Sequence, residues 1–70
     1  MTVNHVKARR QEMGLSQAEL SRRTRINAPN LSAIENGQRE AWPRARRRLA
    51  RALKMPESDL FPEKGGNDGG

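Results

Sequence analysis

Seventy residues allow one small domain, and the absence of cysteine rules out disulfides and thiolate-bound metals as its staples. With 33% hydrophobic residues, one Trp, one Phe and no Tyr, the chain has material for a single aliphatic core. Fourteen Lys and Arg against eight Asp and Glu give a net charge of +6. That excess favours a polyanionic partner, and an Arg-rich chain favours nucleic acid over an acidic membrane, because guanidinium forks match phosphates and guanine edges. No apolar run approaches the roughly 20 residues of a membrane span. The stretch Met1 to His5 lacks the apolar segment of a signal peptide, so the expected location is cytoplasmic.

The predicted elements are all helical, because apolar residues recur at helical spacing and nowhere alternate as in a strand. The first helix is expected from about Val3 to Met13, with Val6, Arg10 and Met13 on one face and Gly14 as its left-handed terminator. Ser16 is placed to cap a second helix, with Glu19 three residues on completing a capping box. That helix carries Leu20 and Thr24 and gives out near Arg25. Asn27 caps a third, in which Pro29 is tolerated at the start, Leu31 and Ile34 point inward, and Asn36-Gly37 form the stop.

After a loop from Gln38 to Trp42, Pro43 opens a fourth helix running to about Lys54, with Ala45, Leu49, Ala52 and Leu53 inward. Pro56 starts a short fifth turn, Glu57 to Leu60, followed by Phe61. Glu57 and Asp59 suit the start of that helix through its dipole. The expectation is an all-α, five-helix domain over residues 1–62 and a flexible glycine-rich tail over 63–70.

The informative stretch is Gln17 to Glu35. Two helices joined by a three- or four-residue turn must cross steeply, with Leu20, Thr24, Ile26, Leu31 and Ile34 facing one another and Ser21 small enough for close approach. The outer face of the second of these helices is left with Ala28, Pro29, Asn30, Ser32 and Ala33. Such short side chains let a helix sink into a major groove about 12 Å wide.

Leu15-Ser16-Gln17-Ala18-Glu19-Leu20-Ser21, then Ile26, then Leu31-Ser32-Ala33-Ile34-Glu35-Asn36-Gly37, resembles the lambda-repressor and Cro (XRE-type) family of helix-turn-helix regulators. The likeness runs from about Val6 to Phe61. It implies a compact five-helix DNA-binding domain that regulates transcription as a repressor, with no catalysis and no cofactor or metal. It assigns base reading to Ala28, Pro29, Asn30 and Ala33, and phosphate contacts to Gln17, Asn36 and Arg39; Ser32 joins the base-reading set from the bare outer face, and Asn27 and Arg44 complete the expected phosphate-side set. The same resemblance implies a partly buried structural salt bridge between Arg10 and Glu35. It also implies a homodimer, at least on DNA, with Trp42, Pro43, Leu60 and Phe61 as possible contacts.

The chain departs from the family in two places. Arg25 stands where the family usually has Gly, so the turn is either strained or built differently. Ala28 and Pro29 stand where glutamines often read adenine, which shifts direct readout to Asn30, to methyl contacts from Ala28 or Ala33, and to nearby arginines.

Other residues keep two readings. Arg44, Arg47, Arg48 and Arg51 share one helix face: Arg48 and Arg51 are read as solvated, Arg44 and Arg47 as open between solvation and phosphate contact. Trp42 covers either the monomer's own core or a subunit contact, and His5 is read as structural or idle. Arg46 sits where the family has Leu. The alternative function is an antitoxin or adaptor that holds a protein partner, with Trp42 and Phe61 as its apolar nucleus. RNA or single-strand binding would need exposed aromatics for stacking, which the chain lacks.

Overall fold

Each helix begins and ends where its local chemistry dictates. The computed structural model describes residues 4–62. The first helix, expected from Val3, begins at Val6 instead, with Asn4 and His5 outside it because the chain enters the helix at His5; Val3 itself and the expected tail over 63–70 lie outside the described residues. Five helices follow one another: α1 (Val6–Glu12), α2 (Gln17–Thr24), α3 (Ala28–Glu35), α4 (Pro43–Leu53) and α5 (Glu57–Leu60). No strand occurs among the described residues, so the fold is all-α.

Gly14 ends the first segment at φ 72°; a side chain there would meet nothing within 4 Å, so the backbone angle alone calls for glycine. The capping box is complete. The Ser16 hydroxyl accepts from the Glu19 N–H, and the Glu19 carboxylate accepts from the Ser16 N–H, both at 3.0 Å. Asn27 caps α3 by accepting from the Asn30 N–H at 3.0 Å, and Gly37 follows Asn36 at φ 76°.

The turn between α2 and α3 keeps the left-handed geometry that glycine would adopt, with Arg25 itself in it at φ 62°. Of the two options open from sequence, the turn is strained and not rebuilt. Lys54, at φ 54°, closes α4 in the same way, one residue beyond the helix proper.

The core is aliphatic. Val6, Leu20, Leu31, Ile34, Leu49, Leu53 and Leu60 are fully enclosed, with Leu15, Ile26, Ala45 and Phe61 completing the cluster. Ala52, expected inward, is half-buried at its edge. Thr24 is the buried polar residue, and its hydroxyl is satisfied locally: it donates to the Leu20 carbonyl at 2.7 Å and accepts from the Ile26 N–H at 3.4 Å. That bond fixes the chain's exit from α2 into the turn.

The helices α2 and α1 each pack on both α3 and α4, and α5 packs on α4. Side chains tie the loose ends together. Asn4 accepts from the Val6 N–H and donates to the Ile34 carbonyl at 2.8 Å, and Arg9 Nε donates to the Leu53 carbonyl at 3.0 Å.

Arg46 is half-buried between α4 and α5. Its Nε lies 3.7 Å from Glu57 Oε1 without forming a hydrogen bond. The stem packs and the head reaches an acidic residue, so a cation is tolerated where the family carries Leu.

Candidate nucleic-acid interface

Helix α3 is pinned from below and left bare above. Leu31 and Ile34 are fully buried against the core, which fixes the helix's rotation. Ala28 and Pro29 are exposed, while Asn30, Ser32 and Ala33 are half-buried. None of the five residues assigned to base reading is turned into the interior. An α-helix with side chains is about 10–12 Å across, close to the major-groove width, so alanines and a proline on the outer face permit close approach.

The predicted phosphate-side residues surround this face in different states. Asn36, Arg39 and Arg44 are exposed. Asn27 is also exposed, but its Oδ1 is committed to capping α3, which leaves the amide N–H groups as its free donors. Gln17 is half-buried, and its Nε2 donates to Glu35 Oε1 at 3.1 Å. One N–H of that amide is therefore spent inside the protein, and the other remains for a ligand.

Glu35 is the hub of this arrangement. Arg10 Nε and Nη2 donate to its two carboxylate oxygens at 2.8 and 3.2 Å, while Arg10 Nη1 donates to the Leu15 carbonyl at 3.0 Å. The two side chains are 11% and 2% exposed, so the pair is desolvated and bidentate. Three elements thus meet on one carboxylate: α1 through Arg10, the start of α2 through Gln17, and the end of α3. The carboxylate thereby ties the end of α3 to α1 and to the start of α2.

Sequence reasoning missed a second cluster beside α3. The loop after α3 folds back on it, with the Gln38 and Arg39 N–H groups donating to the Ala33 carbonyl at 2.9 and 3.3 Å. Arg39 Nη1 donates to Asn30 Oδ1 at 3.4 Å, and its guanidinium carbon stands 5.1 Å from the centre of the Trp42 ring. The spacing of Arg39 and Trp42 was a visible signal, but the loop path that brings Arg39 to Asn30 was not.

The four residues expected as possible subunit contacts differ in the surface they offer. Leu60 is fully enclosed and Phe61 is 8% exposed, because the short α5 lays both onto the protein's own core. Of the four residues, Trp42 is half-buried and Pro43 exposed, so these two alone offer surface.

Ion pairs among the described residues join Arg9 to Glu12, Arg10 to Glu35 and Arg46 to Glu57. Exposed Arg22, Arg23, Arg25, Arg44, Arg47, Arg48 and Arg51 have no such partner among those residues. Arg44, Arg47, Arg48 and Arg51 line one shallow cleft, and Arg23, Arg25, Arg48 and Arg51 line the next. Arg48 also donates to the Thr24 carbonyl at the end of α2, at 3.3 Å. A surface of this kind carries positive potential and favours polyanions.

Two packed helices joined by a short turn, the second capped and bare on its outer face, define a helix-turn-helix protein. A family model described as a helix-turn-helix domain matches residues 4–60, and the chain belongs to that family, in the XRE and Cro-like type that its motif residues resemble. No curated protein matches the chain. No helix among the described residues is long and apolar enough to cross a membrane.

Proposed function

We propose that the chain is a sequence-specific reader of double-stranded DNA that regulates transcription, acting as a repressor by occupying an operator that overlaps a promoter. Membership of the helix-turn-helix family supports a DNA-binding regulator. The observation that carries the finer reading is the outer face of α3, where small side chains are flanked by Asn27, Asn36 and Arg39. In this reading Ala28, Pro29, Asn30, Ser32 and Ala33 meet base edges. Gln17, Asn27, Asn36 and Arg44 fix the protein's register on the phosphates, and Arg39 lies at the border of the two sets.

One short helix makes few base contacts. Two copies on a pseudo-palindrome, with half-sites about 34 Å apart or a multiple of that, supply the missing discrimination. Trp42 and Pro43 are the residues with surface to give to that pairing. The chain's work is binding, with no reaction and no cofactor, and it is done where the DNA is. The adaptor reading is weaker, because Phe61, half of its proposed apolar nucleus, is buried in the protein's own core.

Selection of bound duplexes from a random pool, followed by the mass of the complex, tests this. A short palindromic consensus bound by two chains is the expected result. A log–log salt dependence near −0.9 per phosphate neutralised should accompany it. A pool that shows no sequence enrichment would overturn the proposal.

A further inference from the structure

Arg39, Asn30 and Trp42 make contacts that neither the core nor the helix caps require. The loop that carries Arg39 is fastened to α3 by two N–H groups on the Ala33 carbonyl. Trp42 lies beneath the guanidinium at 5.1 Å, within cation–π range, so the long side chain is held over the ring. From there Nη1 donates to Asn30 Oδ1 at 3.4 Å. Arg39 is exposed, and no carboxylate among the described residues lies within ion-pair distance of it.

The chemical consequence concerns what Asn30 has left to offer. Reading adenine with an Asn needs both an acceptor, Oδ1 for the N6 amino group, and a donor, Nδ2 for N7. Here one of the two lone pairs of Oδ1 is engaged by Arg39, so part of Asn30's acceptor capacity is spent while both N–H groups of Nδ2 stay open, and Arg39 adds its own remaining N–H groups. The joint edge is rich in donors, with one acceptor lone pair against several N–H groups. In the major groove, guanine presents two acceptors side by side, N7 and O6, whereas adenine would set its amino group against those donors.

We infer that Trp42, Arg39 and Asn30 act as one recognition unit that selects guanine in the major groove. Arg39 and Asn30 are the specificity-determining residues, and Trp42 is the positioning residue that holds Arg39 beside Asn30. This rests on the proposed reading that α3 lies in the major groove. It moves Arg39 from the phosphate-contacting set to the base-reading set.

The test compares base preferences among variants. Selection with the wild-type protein and with Asn30→Ala locates the base pair under Asn30, as the position whose preference the substitution erases. At that pair the wild type is expected to take guanine over adenine by about tenfold or more in affinity. Arg39→Ala frees Oδ1, and the preference is expected to move toward adenine. Trp42→Leu should shift it in the same direction, and Trp42→Phe, which keeps an aromatic face under the cation, should restore guanine.

Melting curves check that each variant is folded. If Trp42→Leu is not, Arg39→Ala and Trp42→Phe decide. Adenine selected by the wild type overturns the inference. So does Arg39→Ala weakening all duplexes equally with no change of preference, which makes Arg39 a phosphate ligand. A wild type that enriches no sequence at all would instead sink the DNA-reading proposal beneath it.

Discussion

The guanidinium of Arg10 closes two hydrogen bonds on the carboxylate of Glu35, at 2.8 and 3.2 Å, across 25 residues of sequence. Both charges are largely withdrawn from water, so each depends on the other for solvation. The same carboxylate holds Gln17, and the pair therefore governs the foot of α2 as well as the end of α3.

Removing one member strands the other. Arg10→Met is expected to cost roughly 3–5 kcal/mol. A domain of this size has about 4–10 kcal/mol in all, so the melting temperature should fall steeply. Pairing it with Glu35→Leu should recover much of the loss, because no unpaired charge then remains. Thermal melts of the single and double variants check this, and an unperturbed Arg10→Met melt would refute the structural role of the pair.

Arg25 holds φ 62° without being glycine. That conformation costs a non-glycine residue about 1–2 kcal/mol, partly offset by the greater chain entropy glycine has when unfolded. Arg25→Gly is therefore expected to raise stability by a few tenths to about 1 kcal/mol. A lower melting temperature in Arg25→Gly would show that the side chain does more for the turn than its backbone costs.

The Ser16 cap gives a stability and a pH prediction. Ser16→Ala should cost about 1 kcal/mol by thermal melt. The Glu19 carboxyl is held below the usual carboxylate range, chiefly by the Ser16 N–H that it accepts from. A depressed folded value means that the ionised form stabilises the fold above the unfolded value, and that this gain is lost as pH falls through the folded one. The wild type's melting advantage over Glu19→Gln should thus be present at pH 7 and vanish in acid. An advantage unchanged at low pH would assign it to something other than the charge.

Gln17 donates to Glu35 with one amide N–H and keeps the other. Gln17→Ala is expected to weaken binding to an operator and to random duplex together, with sequence preference unchanged. Titrations on both duplexes check this. A changed preference would move Gln17 among the base-reading residues.

Most helix boundaries were legible because their chemistry sits in adjacent residues. Ser16 with Glu19, Asn27 with its following proline, and Gly14 and Gly37 each act within one turn of themselves. The Arg10–Glu35 pair was reached through the family resemblance and not through spacing, since periodicity says nothing about residues 25 apart. The burial of Leu60 and Phe61 in the chain's own core was not legible, because a four-residue helix carries too little pattern to show which way its apolar side faces. The Arg39 contacts with Asn30 and Trp42 depend on the path of a loop, which no cap or repeat encodes. Arg46 was opaque for another reason: its stem and its charge answer to different neighbours.

The account turns on α3 lying in the major groove, and Ala28→Glu tests that most directly. Ala28 is exposed in the first turn of α3, where a carboxylate suits the helix dipole, so the variant should melt no lower than the wild type. The same carboxylate would face the acceptor-rich floor and the phosphates of the duplex. Duplex affinity, measured beside the melting curve, is expected to fall at least about tenfold. Undiminished binding by a fully folded Ala28→Glu would contradict the account.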